Sequence, residues 1–108
     1  MTIPSGVDTI KAYVFYNCTS LTSVTFPSSV TTIAAGAFYN CANITTYDFS
    51  AATSVPTLGN VTVFAGTSSS KQIIVPDALY DQWIAATNWS STDNGIVTSI
   101  VRASSISS

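Results

Sequence analysis

The sequence predicts a mainly β solenoid closed at its C-terminal end by a helix. Three observations carry this reading. Residues 1–23 align without a gap with residues 24–46, and 12 of the 23 positions are identical. Inside the repeat, Val24-Thr25-Phe26 alternates with the period of a half-buried strand, and Pro27 follows it. Beyond Pro76 the apolar spacing becomes helical. A fixed period of roughly 20–50 residues marks units that stack on one another, each burying the face of its neighbour.

The central copy, Leu21 to Ile44, shows the logic. Val24 and Phe26 point inward, and Pro27 ends the strand because it has no N–H for the ladder. Val30 and Ile33 are the next inward residues. Ala35, Gly36 and Ala37 are small enough for a tight turn. Phe38 returns inward, Cys41 follows, and Ile44 leads into the next strand. The consensus is L-x-x-V-x-F-P-x-x-V-x-x-I-x-x-x-A-F-x-N-C.

The first repeat begins at Thr2-Ile3, with no polar cap before it, so its strand edge is expected to be open. The third begins at Tyr47-Asp48-Phe49 and is irregular. The step from Phe38 to Phe64 is longer by three than the step from Phe15 to Phe38, which places the insertion in the Thr53–Gly59 loop. Lys71–Val75 is the last expected sheet strand, and Val75-Pro76 matches Phe26-Pro27. Residues 1–76 thus hold repeats of 23, 23 and about 26 residues plus a strand, and 77–108 form a closing segment. Its helix is expected over Ala78–Thr87, with Asp77 as N-cap and Asn88 at its end. Ile96–Val101 reads as a strand or irregular cover, and Ala103–Ser108 as frayed.

The stretch LTSVTFPSSVTTIAAGAFYNC resembles the leucine-rich repeat of BspA-like bacterial surface proteins, the Treponema-type repeat. The resemblance covers residues 1–76 as repeats, and IIVPDALYDQWIAATNW is similar to the end segment of such proteins. It implies a right-handed leucine-rich-repeat solenoid with a parallel sheet on one face. It also implies an extracellular or cell-surface role in adhesion and protein contact, without catalysis.

Composition narrows the function. The chain of 108 residues is one domain, 46% hydrophobic but only 7% charged, against roughly 25% in ordinary soluble domains. Ser and Thr make up nearly a third of the chain, so solvent-facing positions carry hydroxyls instead of charges. Lys11, Lys71 and Arg102 are the whole basic complement, too few to neutralise several phosphates, which excludes nucleic acid as a partner. No apolar run reaches the ~20 residues of a membrane span. Met1 leads straight into a repeat strand without a signal peptide, which reads as a chain cut from a longer precursor or a reading frame opening mid-array, with a cytosolic protein as the alternative.

The chain has no His and no Glu, so neither a Ser-His-Asp triad nor a histidine metal site can be built. The five Asp are scattered; Asp77 and Asp81 suit a helix start better than a glycosidase pair. No cofactor motif occurs. Cys18 and Cys41, one period apart, read as stacked free thiols whose parallel Cβ vectors oppose a disulfide. Four Asn-x-Ser/Thr sequons begin at Asn17, Asn43, Asn60 and Asn88; Asn17 and Asn40 share a turn position, where the amide is expected to bond turn backbone. Tyr16 and Tyr39 should form a column, as lateral packing or as an exposed strip for a sugar or peptide. Trp83 and Trp89 belong to the core of the end segment or to a ligand platform.

The expected function is a non-enzymatic binding or adhesion module. Its contact surface would be the outward columns Thr22/Thr45/Lys71, Ser23/Thr46/Gln72 and Thr2/Thr25/Asp48. The partner would be a protein or glycan on a host or neighbouring cell. The competing reading is a spacer or stalk, which should be uniform along its length. The open first strand also predicts a weak homodimer through the N-terminal edge, where Ile3, Val7, Ile10 and Phe15 form an apolar end-face.

Overall fold

The computed structural model describes residues 1–106. Two parallel sheets are built from alternate segments of the chain. Strands β1 (Thr9–Ile10), β3 (Thr32–Ile33) and β5 (Thr57–Leu58) form the smaller one, in the order β1-β3-β5. Strands β2 (Ser23–Thr25), β4 (Thr46–Asp48), β6 (Gln72–Val75) and β7 (Ile100–Arg102) form the larger one, in the order β2-β4-β6-β7. Thr2 adds an isolated parallel bridge to Thr25.

The register is the sequence period. Thr9 pairs with Thr32 and Val24 with Tyr47, each one repeat further along the chain. The three extra residues of the third repeat prove to be divided. Thr32 pairs with Thr57, which overshoots the ordinary period by two positions. The Phe38 amide bonds the Val63 carbonyl, three positions further on than the matching bond from Phe15 to Ala37. Two of the three therefore precede β5 and the third follows it, instead of all lying in Thr53–Gly59.

Helical turns hold more residues than the strands do, so the fold is mixed instead of mainly β. They are α1 (Tyr80–Ala85), α2 (Ile96–Ser99), α3 (Ala103–Ile106) and 3-10 turns at Val61–Phe64, Asp77–Leu79 and Asp93–Gly95. The expected Ala78–Thr87 helix is a 3-10 turn followed by the shorter α1. Asp77 caps neither its own 3-10 turn nor α1; its Oδ1 accepts the amide of Ser104, in the first turn of α3, at 3.1 Å. Asn88 stands in the left-handed region two residues past the α1 cap, Ala86. The edge of β6 is covered by β7, which pairs Ile73 with Ile100 and Ile74 with Val101. Ala103–Ile106 is helical where fraying was expected; the rest of that expectation, residues 107–108, lies outside the described residues.

The repeat turns depend on backbone handedness. Asn17 (φ 57°) and Asn40 (φ 60°) are left-handed, and Gly66 (φ 71°) takes the equivalent position one longer period on. Asn and Gly are the residues that adopt this conformation most readily. The recurring Asn is thus a conformational requirement. The amide that bridges repeats is that of Asn43, whose Nδ2 donates to the Thr19 carbonyl at 2.6 Å. Tyr13 (φ 57°) occupies the position that Gly36 (φ 70°) fills one repeat later, at a cost of roughly 1–2 kcal/mol for a residue with a Cβ.

The core is an aromatic stack. Phe38 lies parallel to Phe15 at 5.2 Å and to Phe64 at 6.4 Å, and meets Phe26 and Tyr47 edge-on. Phe26 stacks on Phe49 at 4.0 Å, and Trp83 and Trp89 continue the cluster from Phe49 and Phe64. Both Trp residues are fully buried, which assigns them to the core of the end segment. Phe15, expected to be buried like its equivalents, is half-buried because the stack ends there. Cys41 is buried and Cys18 half-buried; both are free thiols, and Cys41 Sγ donates to the Phe15 carbonyl at 2.8 Å. The Tyr47 hydroxyl is buried with no hydrogen-bond partner among the described residues, and burial pushes its pKa up.

Phe38 is fully buried and meets four rings, those of Phe15, Phe26, Tyr47 and Phe64, so Phe38→Ala is expected to lower stability by about 3–5 kcal/mol. Phe15→Ala, at the half-exposed end, should cost clearly less. Urea unfolding of the two variants checks the order; equal losses would show that the stack has no centre.

Candidate binding face

The larger sheet positions the candidate residues. Val24, Tyr47 and Ile73 pair in register and are fully buried, which fixes the inward side. Successive strand residues alternate in direction, so the residues on either side of them point outward. Ser23, Thr46 and Gln72 are mutually paired and form one outward column. Thr2, Thr25 and Asp48 form the second. Thr25 and Gln72 are exposed, and Ser23, Thr46 and Asp48 are half-buried among their neighbours. Both expected columns are therefore brought together on one surface.

The third expected column is not. Thr22 and Thr45 are exposed at the entry to β2 and β4, and the Thr45 amide and hydroxyl both bond the Thr22 carbonyl, at 2.9 and 3.3 Å. Lys71, which should continue them, is only 4% exposed. Its Nζ donates to the carbonyls of Ser68 (3.2 Å) and Asn94 (2.7 Å). The long side chain leaves the face and ties the Ser68 turn to the Asp93–Gly95 turn. Gly95 leaves room for it: a Cβ there would lie 3.3 Å from Nζ. Burial lowers the Lys71 pKa, since it disfavours the charged ammonium.

The face is nearly uncharged. Asp48 is its single carboxylate, and Oδ1 accepts the Ser50 amide at 2.9 Å, which fixes its orientation. The Thr2/Thr25/Asp48 column continues through Ile74 and Val101, so it turns apolar toward β7. Ile74 is 5% exposed yet stands outside the core cluster. Sequence reasoning missed this apolar flank because Ile96–Val101 carried no clean alternation. Arg102 at the end of β7 lies 4.3 Å over the Tyr80 ring and 3.9 Å from Asp81, an exposed ion pair of small energetic weight. Two hydrogen bonds from Ser104 hold the Asp77 carboxyl below the usual carboxylate range.

Residues 1–93 match the family model of the BspA type leucine rich repeat region, in six copies. The chain belongs to the BspA-type leucine-rich-repeat family. Comparison with curated proteins and with solved structures returned no match. BspA-type repeats are typically non-catalytic, commonly protein-binding modules, and the proteins that carry them are generally surface proteins. No helix among the described residues is long and apolar enough to cross a membrane.

The buried ammonium makes stability depend on pH. Between the lowered native pKa of Lys71 and the ordinary value of 10.5, the unfolded chain binds the extra proton. Stability contributed by this site therefore rises with pH across that window. Cys41 and Tyr47, whose pKa values are raised by burial, act in the opposite direction above their ordinary values of 9.0 and 10.0. The expected result is that the parent chain gains on a Lys71→Met variant as pH rises toward 10.5. Parallel urea midpoints from neutral to alkaline pH isolate the difference, and a flat difference would mean that the ammonium is solvated.

Proposed function

We propose that this chain is a non-enzymatic, surface-exposed binding or adhesion module that contacts a protein through the outward face of its larger sheet. Residues 1–76 would wind as a short right-handed solenoid, with residues 77–108 as its closing segment. The observation that carries the reading is the registered pair of polar columns, Ser23/Thr46/Gln72 and Thr2/Thr25/Asp48, backed by a fully buried inner row. A backbone ladder holds these groups in fixed positions, so their hydrogen-bonding atoms are ordered before a partner arrives and little entropy is lost on contact. The face is also not uniform: Asp48 gives way to Ile74, and Lys71 leaves its column. A spacer has no need of such variation.

A photo-reactive residue at Thr46 should crosslink a cell-surface or extracellular protein, while one at exposed Ser90 should not. Binding of the captured, purified protein should weaken at least tenfold in a Thr25→Arg, Thr46→Arg variant that unfolds at the parent midpoint. Equal crosslinking from both positions, or affinity indifferent to the two arginines, would place the contact elsewhere.

A second contact, between copies of the chain, is favoured by the outer side of the first repeat. Ile3 and Ile10 are themselves buried, but Met1 and Val14 are exposed and Val7 and Phe15 half-exposed around a groove of about 230 Å³. The Thr2 and Thr9 segments are the outer edges of both sheets. Two copies would pair there about a two-fold axis. Sedimentation equilibrium should show a weak dimer that Val14→Lys disrupts and Asp81→Lys does not. A monomer at millimolar concentration would refute it.

A further inference from the structure

We propose that Tyr13, Tyr16 and Tyr39 form a carbohydrate platform, separate from the sheet face, that takes a neutral sugar ring. The three rings lie in the turns that follow β1 and β3. Tyr16 and Tyr39 are stacked at 5.5 Å with planes 4° apart, which holds the exposed Tyr16 ring in a fixed orientation against its neighbour. Tyr13 stands 6.0 Å from Tyr16 and 6.4 Å from Tyr39, tilted by 61° and 58°, and walls the pair on one side. Tyr13 is 55% exposed and Tyr16 48%. They are half of the large hydrophobic side chains the described residues expose, and they are contiguous. A contiguous exposed aromatic patch on a small domain marks a contact site more often than an accident of packing.

The backbone under Tyr13 strengthens the case. It is left-handed, at a position where the next repeat uses Gly36. A glycine at 13 would remove the strain, and a ring more than half exposed recovers little burial in return. Strain kept at such a residue points to a function for the side chain. Gly36 receives the ring: a Cβ there would collide with Tyr13 Cε1. The lateral-packing reading accounts for the contacts of these rings but not for the left-handed backbone kept at Tyr13.

Chemistry selects the ligand. An aromatic face packs against the C–H face of a pyranose, while phenol and amide groups meet its hydroxyls at the rim. Three phenols are present, and the exposed Asn17 side chain, adjacent to Tyr16, makes no hydrogen bond among the described residues. Lys11 is the single charged residue on the segment from Thr9 to Asn17, and one lysine is too little charge to require an anionic ligand.

Affinity electrophoresis of the full chain tests this, in gels containing mixed-linkage β-glucan, xyloglucan, galactomannan or α-mannan. At least one should retard the parent. Tyr16→Ala and Tyr13→Gly should each weaken retardation tenfold or more, and the charge-neutral Ser90→Ala, at an exposed position of the C-terminal segment, should leave it unchanged. Tyr13→Gly also suits the left-handed backbone, so its unfolding midpoint should stay level or rise while binding is lost; this separates a binding role from a structural one even if Tyr16→Ala fails to fold. Absence of retardation by all four polysaccharides would overturn the proposal. So would retardation unchanged by Tyr13→Gly, or ring resonances of the three tyrosines that respond to a proline-rich peptide and to no polysaccharide.

Discussion

The structure depends on one row of hydrogen bonds that recurs at a constant offset. Backbone N–H groups of Ile3, Phe15, Asn17 and Phe26 donate to carbonyls one position short of a full period ahead, on Thr25, Ala37, Tyr39 and Asp48. Across the insertion the offset lengthens by three and is again constant: Phe38 to Val63, Asn40 to Ala65 and Phe49 to Ile74. These donors sit on the sheets and on the turns between them, so each repeat is bonded to the next at several points around its circuit. Orphaned backbone groups in a core are costly. The chain must therefore return to the same place each period, and a side chain is tolerated only if it permits that return. Asn17, Asn40 and Gly66 satisfy the requirement by turning left-handed at the same point of each repeat.

The same accounting explains the closing segment. The outer edge of β5 has no further strand beside it. Side chains take its carbonyls instead: Trp89 Nε1 bonds Pro56 at 2.8 Å, and Asn88 Nδ2 bonds Leu58 at 2.6 Å. Asn94 Nδ2 does the same for Val61 at 2.8 Å, and Lys71 Nζ for Asn94 and Ser68. On the larger sheet β7 supplies real strand pairing. The helix α1 contributes Trp83 to the core and meets the outermost strand through Tyr80 and Asp81, which face Arg102 of β7. The carbonyls beside β5 are thus met by side chains of Asn88, Trp89 and Asn94, and the edge of β6 by a strand.

What the sequence showed and what it hid follow from these forces. The register and the Phe column were legible because a gapless repeat forces equivalent positions into equivalent environments; Trp83 and Trp89 lie outside the repeats, and their burial was one of two readings the sequence left open. The smaller sheet was not legible: β1, β3 and β5 are two residues each, too short for any alternation to appear. Lys71 was placed correctly along the chain and wrongly in space. Register locates a Cα, but a four-carbon stem can carry its charge to carbonyls beneath the sheet. The role of Asn17 and Asn40 was misassigned because handedness, unlike hydrophobicity, leaves no periodic trace beyond the Asn itself. The two polar columns of the candidate face were readable, and its apolar flank at Ile74 and Val101 was not, since it required knowing that β7 pairs with β6.

The near absence of charge sets how such a face can recognise anything. Asp48 is the single carboxylate of the face and Lys71 is withdrawn from it, so little long-range field remains to draw a partner in. Association then rests on short-range matching. Neighbouring strands place the column members about 4.8 Å apart, and alternate residues along a strand about 6.6 Å apart. A partner must present donors and acceptors on the same grid, and each group that misses leaves a polar atom desolvated without compensation. Rigidity makes the penalty for a mismatch large, because the ladder cannot shift one hydroxyl without breaking its own bonds. On the binding role proposed for this surface, discrimination would come from spacing, which a repeat protein controls through its period, more than from attraction.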